Sequence, residues 1–157
     1  MDRVDIKTDG RDVRLLKIPP GPVWGILAAP PCTVFCTAGQ RWPRTDAEMI
    51  EGLSVVDACV RLAVALRPRW WALENPIGKL NRYLGAPAYR FDPFWFGDPY
   101  SKRTNLWGNF TVPVRRPVFP SEGSKMWAKY GGKSERTKAA RSVTPAGFAR
   151  AFFEANP

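Results

Sequence analysis

The sequence predicts an α/β fold with a mainly parallel sheet, because apolar runs of strand length alternate with stretches of helical spacing. Two such runs, residues 23–29 and 70–73, flank one long amphipathic segment, the pattern of a strand, helix, strand crossover of right-handed sense. Sixteen prolines and thirteen glycines punctuate short elements, with no repeat or low-complexity tract between them. At 157 residues, 45% hydrophobic and 13% aromatic, residues 1–157 are expected to form a single domain with its own core.

In chain order, residues 4–6 and 13–16 read as short strand ends, and residues 23–29 as a buried strand stopped by Pro30 and Pro31. From Asp46 to Leu66, Met49, Leu53, Val56, Val60, Ala63 and Val64 recur at helical spacing, and Pro68 closes the helix. Trp70-Trp71-Ala72-Leu73 is a second buried strand that ends on Glu74-Asn75-Pro76, where Asn-Pro forces a turn. Residues 91–96 and 104–107 are further strands. Thr144 is an N-cap with Pro145 at the first helical position, and Phe148, Ala151, Phe152 and Ala155 give the last helix one apolar face. Trp24, Trp70, Trp71 and Trp95 lie in apolar runs and are expected in the core.

No apolar run approaches the roughly twenty residues of a membrane span, and the first residues lack the apolar core of a signal peptide. A soluble cytoplasmic protein is expected, with no membrane partner. Three cysteines, an odd count, point to thiols rather than a disulfide frame. With no histidine, the usual general base and the usual zinc ligand are both missing, so chemistry falls to Cys, Asp, Glu, Lys or Arg, and no metal is expected.

The net charge of +10 makes a polyanion the first partner to consider. Residues 1–100 carry 13 basic and 11 acidic side chains, whereas residues 101–157 carry 11 and 3, so the basic footprint is C-terminal. Residues 111–140 read as a basic loop region in which Arg115, Arg116, Lys125, Lys129, Lys133 and Arg136 grip phosphates, with Trp127 and Tyr130 interleaved. Lys102, Arg41 and Arg44 are further candidates for nucleic-acid contact, and Trp42 and Trp127 for stacking on bases. A solvated basic face is the alternative.

In open α/β sheets, functional residues collect at the carboxyl ends of strands, and two suspicious clusters occupy such ends. Cys32 follows Pro30-Pro31 directly after a strand, where neighbouring cations would depress its pKa toward the thiolate; a small apolar filler is the alternative. Glu74 follows four apolar residues, so burial should raise its pKa and let it carry a proton near neutrality. A strand-end carboxylate paired with an arginine is the other reading. Cys59 lies inside the long helix as a core residue.

Ala29-Pro30-Pro31-Cys32-Thr33-Val34-Phe35-Cys36, with Leu73-Glu74-Asn75-Pro76 some forty residues on, resembles the catalytic Pro-Cys loop and Glu-Asn motif of the DNA cytosine-5 methyltransferases. Residues 96–107, from Phe96-Gly97-Asp98-Pro99 to Leu106-Trp107, are similar to a segment of short, phage-type members. Residues 141–152 are similar to the family's closing motif. The resemblance implies a three-layer Rossmann-like sandwich in which the Cys32 thiolate adds to C6 of a flipped cytosine while Glu74 protonates N3. C5 would then take a methyl group from S-adenosylmethionine. By the same resemblance Asn75 positions the motif loop, Arg103 contacts the base, and Asp5, Asp12 and Pro31 touch the cofactor. A phage-encoded member would act in the bacterial cytoplasm.

The chain departs from that pattern at its beginning. The family's first strand and glycine-rich turn have no counterpart, no Gly-x-Gly occurs, and only four residues precede Asp5. The sheet is therefore expected to be incomplete at its first strand, and to be rearranged, filled by residues 4–6, or completed by a second chain or a homodimer. An adenosylmethionine pocket is not complete in this chain alone. Cys36 stands where the family has serine, and the target-recognition domain is missing. Two alternatives remain: an inactive DNA-binding descendant with a decoy or anti-restriction role, and a C5 modification from another donor. Zinc deamination is excluded, since Cys32 and Cys36 stand one residue too far apart for a Cys-x-x-Cys pair and no histidine exists.

Overall fold

The computed structural model describes residues 4, 9–37, 43–125 and 134–157. Among them, four strands form one small mixed sheet: β1 (Gly25–Ala28), β2 (Trp70–Pro76), β3 (Tyr89–Phe91) and β4 (Thr104–Asn109), in the order β1-β2-β4-β3. Only β1 and β2 pair in parallel, with Ile26 opposite Trp71 and Ala28 opposite Leu73. The β2–β4 and β3–β4 pairs are antiparallel, so the described sheet is mixed rather than mainly parallel. The connection from β3 to β4, residues 92–103, holds a short 3-10 turn and no helix that could carry the chain back for a parallel pairing.

Helix α1 (Asp46–Leu66) joins the parallel strands and covers the span its periodicity predicts. It starts on a capping box, in which Thr45 Oγ1 accepts from the Glu48 N–H and Glu48 Oε2 accepts from the Thr45 N–H. It stops at Arg67, held at φ 46°, whose N–H reaches the Ala63 carbonyl just before Pro68. Val56, Cys59 and Ala63 are buried, and Met49, Leu53 and Val60 are half-buried; Val64 instead points outward, 70% exposed.

Alternation along β2 and β4 feeds two clusters on opposite faces of the sheet. Leu73 and Trp107 join Phe35, Val56, Cys59 and Leu80 beside α1. Ala72 and Leu106 join Phe91, Phe96, Phe148 and Phe152, the last two from α4 (Ala146–Ala155). Phe91 and Phe148 stack at 3.8 Å between centroids.

Several expected elements take other forms. Val13–Leu15 is a 3-10 turn capped by Asp12, not a strand. Strand β2 runs on through Glu74 and Asn75 to Pro76, since β4 supplies a pairing partner as far as Thr104. Residues 91–96 divide into the end of β3 and a 3-10 turn, Pro93–Phe96, because Pro93 fixes a turn-like φ. Residues 81–84 form the short helix α2 (Asn81–Leu84). Within the expected basic loop, α3 (Glu135–Ser142) is a helix, capped by Ser134 Oγ accepting from the Thr137 N–H. Helix α4 begins one residue later than expected, and its start is met by Asp98 Oδ2, which accepts from the Gly147 N–H at 2.9 Å. Trp70, Trp71 and Trp95 pack against the clusters, but Trp24 is 56% exposed with the Arg69 guanidinium over its ring. Among the described residues no helix is long and apolar enough to cross a membrane.

Candidate active site

Parallel pairing of β1 with β2 brings the residues after both strand ends together. After Pro30 and Pro31 the chain makes one tight turn, in which Cys32 O accepts from the N–H groups of Phe35 and Cys36 at 3.0 and 2.9 Å. That turn is stitched to the exit of β2: the Thr37 N–H reaches Ile77 O, the Lys79 N–H reaches Phe35 O at 2.7 Å, and Cys36 bridges Gly78. Only glycine fits at position 78, where a Cβ would fall 1.9 Å from the Phe35 carbonyl oxygen. Asn75, fully buried, adds a side-chain tie, its Nδ2 donating to Pro30 O at 3.0 Å. Cys32 and Glu74 are thus held from both sides by backbone.

Glu74 Oε1 and Asn75 Oδ1 are both buried without a hydrogen-bond partner. The nearest cation to Glu74 is Lys102, whose Nζ lies 3.9 Å from Oε1, with side-chain exposures of 5% and 13%. Burial pushes the Glu74 carboxyl above the ordinary carboxylate range, and the Lys102 ammonium opposes that rise. The Cys32 thiol is hydrogen-bonded with Cys36. That bond, then burial, pushes it well above the ordinary thiol range; Glu74 adds to the rise and Lys102 works against it. Cation proximity does not win at Cys32, contrary to expectation, because one ammonium is outweighed by a thiol partner, desolvation and a carboxylate.

Lys102 therefore belongs to this cluster rather than to a phosphate-binding surface. Its N–H donates to Asp92 Oδ1 at 2.8 Å, and its carbonyl accepts from Thr104 Oγ1 at 2.7 Å, which fixes its backbone at the entry to β4. Burial raises the Asp92 carboxyl, against the Lys102 N–H and the Arg103 charge. Arg103, the candidate base contact, is 70% exposed at the edge of the cluster, with Nε 3.8 Å from Asp92 Oδ2. Cys36 reaches Cys32 because the chain makes one tight turn between them. No sequence signal marked Asp92.

The remaining candidates are scattered. Arg44 donates to Thr33 O and to Glu48 Oε1, so it braces the Pro-Cys turn. The Arg115 guanidinium lies over Trp95, 3.9 Å from the ring centroid, and donates to Tyr89 Oη. The Arg116 N–H is bound to Trp95 O, and the side chains of Arg116 and Arg136 are exposed. Lys125 is 5% exposed, its Nζ near Tyr100 Oη and Val143 O, so this ammonium faces inward and not toward a surface phosphate. Asp5, Arg41, Trp42, Trp127, Lys129 and Lys133 lie outside the described residues. Cys59 is core, its thiol pushed up to about 11 by burial. Among the described residues no group of three or more His, Cys, Asp or Glu is placed to hold a metal ion.

Neither of the two described cofactor candidates, Asp12 and Pro31, lies in a polar cradle for S-adenosylmethionine. Asp12 is saturated by Arg14, accepting from its backbone N–H, Nε and Nη2. Pro31 borders an open pocket of about 240 Å³ together with Val34, Gly52 and Val55, an apolar surface with no polar cradle for a ribose or an adenine. The two carboxylates at its rim, Glu48 and Glu51, are engaged by Arg44 and Arg14.

No protein-family model matches the chain, and no curated protein matches it.

Proposed function

We propose that this chain is the base-activating part of a DNA cytosine-5 methyltransferase-like enzyme with a Rossmann-like architecture. The observation that carries the reading is the placement of a thiol, Cys32, and a buried carboxyl with a raised pKa, Glu74, at the ends of two adjacent parallel strands. In the reaction, the Cys32 sulfur forms a bond to C6 of a cytosine turned out of the duplex. The C5=C6 electron pair moves into the ring as Glu74 gives its proton to N3, which makes C5 a carbon nucleophile. C5 then takes an electrophile, a proton from water where no methyl donor is bound; release follows as C5 gives its original hydrogen to water, that C–H electron pair re-forms C5=C6 while the S–C6 bond breaks and the thiolate leaves, and the N3 proton returns to Glu74. Asn75 keeps the Pro-Cys turn in register with Glu74 through its bond to Pro30 O. The charge of +10, with Arg103, Arg116 and Arg136 exposed, suits a DNA phosphate backbone. A methyl donor would be bound by a complementing chain or segment.

A donor-independent experiment tests this. Reversible addition at C6 exchanges the C5 hydrogen of cytosine with solvent, so DNA incubated with the protein in deuterated water should gain deuterium at C5. Cys32→Ala and Glu74→Gln should each abolish the exchange. DNA bound without exchange would favour the second reading, a non-catalytic DNA-binding descendant, which the strong hold on the Cys32 proton also supports.

A further inference from the structure

Removing an ammonium and a carboxylate from water costs more than an ion pair at 3.9 Å returns, so the Lys102–Glu74 pair is a poor device for stability alone. Its placement gives it another use. The reactive state assigned above needs Cys32 as thiolate and Glu74 as acid, whereas burial beside a cation favours the opposite arrangement, a thiol beside a carboxylate. The two states differ by one proton moved from Cys32 Sγ to Glu74, with no change in total charge.

We propose that Lys102 is a positioning residue whose buried ammonium neutralises whichever of Glu74 and Cys32 is the anion, so that the proton passes between them within a cluster of constant charge. This rests on the reading of Cys32 and Glu74 as nucleophile and acid. The groups that surround the exchange come from three elements: Cys32 and Cys36 of the Pro-Cys turn, Glu74 of β2, and Lys102 before β4. Asp92 and Arg103 stand behind Lys102 and are engaged with each other and with the Lys102 backbone. The Lys102 backbone is fixed, its N–H and carbonyl both bound, and the side chain that carries the ammonium is 5% exposed. Lys102 Nζ is within reach of Glu74 while Glu74 Oε1 keeps its hydrogen-bonding capacity for an incoming base.

The test is the rate of Cys32 alkylation by iodoacetamide in the full chain without DNA, followed by peptide mass mapping at about pH 9. Lys102→Met should slow alkylation about tenfold or more, the effect of one pH unit in thiolate population, and Lys102→Arg should restore most of the rate. Glu74→Gln should speed it, because the ammonium is then left to the thiolate, and that gain should vanish in the Glu74→Gln, Lys102→Met double variant. A general loosening of the site would not make the effect of Glu74→Gln depend on Lys102. An unchanged rate in a folded Lys102→Met variant, or a Glu74→Gln rate equal to or below the parent, overturns the proposal. Should Lys102→Met not fold, Glu74→Gln and Lys102→Arg decide. Because the assay contains no DNA, the charge coupling can hold while C5 exchange fails, which would sink the cytosine reading alone.

Discussion

Lys102 Nζ stands 3.9 Å from Glu74 Oε1, and both side chains are nearly out of solvent. The two residues are 28 positions apart in sequence and meet because β4 runs antiparallel to β2, with Thr104 opposite Pro76. Cys32 lies within electrostatic reach of both, so a thiol, a carboxyl and an ammonium act on one another here. Its pH behaviour follows from the two raised pKa values. Below the raised Glu74 pKa both thiol and carboxyl hold protons, and no thiolate forms; above it, the cluster has lost one proton and a fraction of it is the thiolate–acid form. C5 exchange should therefore climb with pH through a region above the ordinary carboxylate range and level off, falling only where Cys32 loses its own proton. Exchange rates measured from about pH 4 to pH 10 check this; a profile already flat at the ordinary carboxylate pKa of about 4.3 would contradict it.

Asn75→Ala removes the Nδ2 bond to Pro30 O from a fully buried site. The loss should cost about 1–3 kcal/mol in denaturant unfolding and lower C5 exchange further than stability alone explains, since Pro30 sets the position of Cys32.

Gly78→Ala places a methyl group 1.9 Å from the Phe35 carbonyl oxygen. The Pro-Cys turn must move away from the end of β2, at a cost of about 1–3 kcal/mol, and exchange should drop sharply in protein that remains folded. Thermal melting and exchange measured side by side separate the two effects.

Phe148→Ala should destabilise by about 3–5 kcal/mol, because it empties the centre of the aromatic cluster between α4 and the sheet. A shift of the urea midpoint without a change of slope is the expected signature.

The limits of α1 were legible because periodicity and Pro68 agree on them. Strand β1 was legible from its apolar run and the prolines after it. The antiparallel pairing of β3 and β4 was not: strand orientation depends on which neighbour a short segment meets, and three residues of β3 carry no such signal. In the site, Cys32, Glu74 and Asn75 stood out as polar residues directly after apolar runs. Lys102 did not, because a lysine beside an arginine in a basic half reads as a surface charge until the fold buries it. Lys125 misleads for the same reason, its four-carbon stem reaching inward to Tyr100.

The most direct measurement is intact mass of the protein after incubation with DNA carrying 5-azacytosine, a base that adds thiolates at C6 without a methyl donor. The account predicts a denaturation-resistant adduct of protein and oligonucleotide, mapped to Cys32 by peptide analysis and absent in Cys32→Ala. DNA bound at low salt with no adduct, or an adduct that persists in Cys32→Ala, would contradict it.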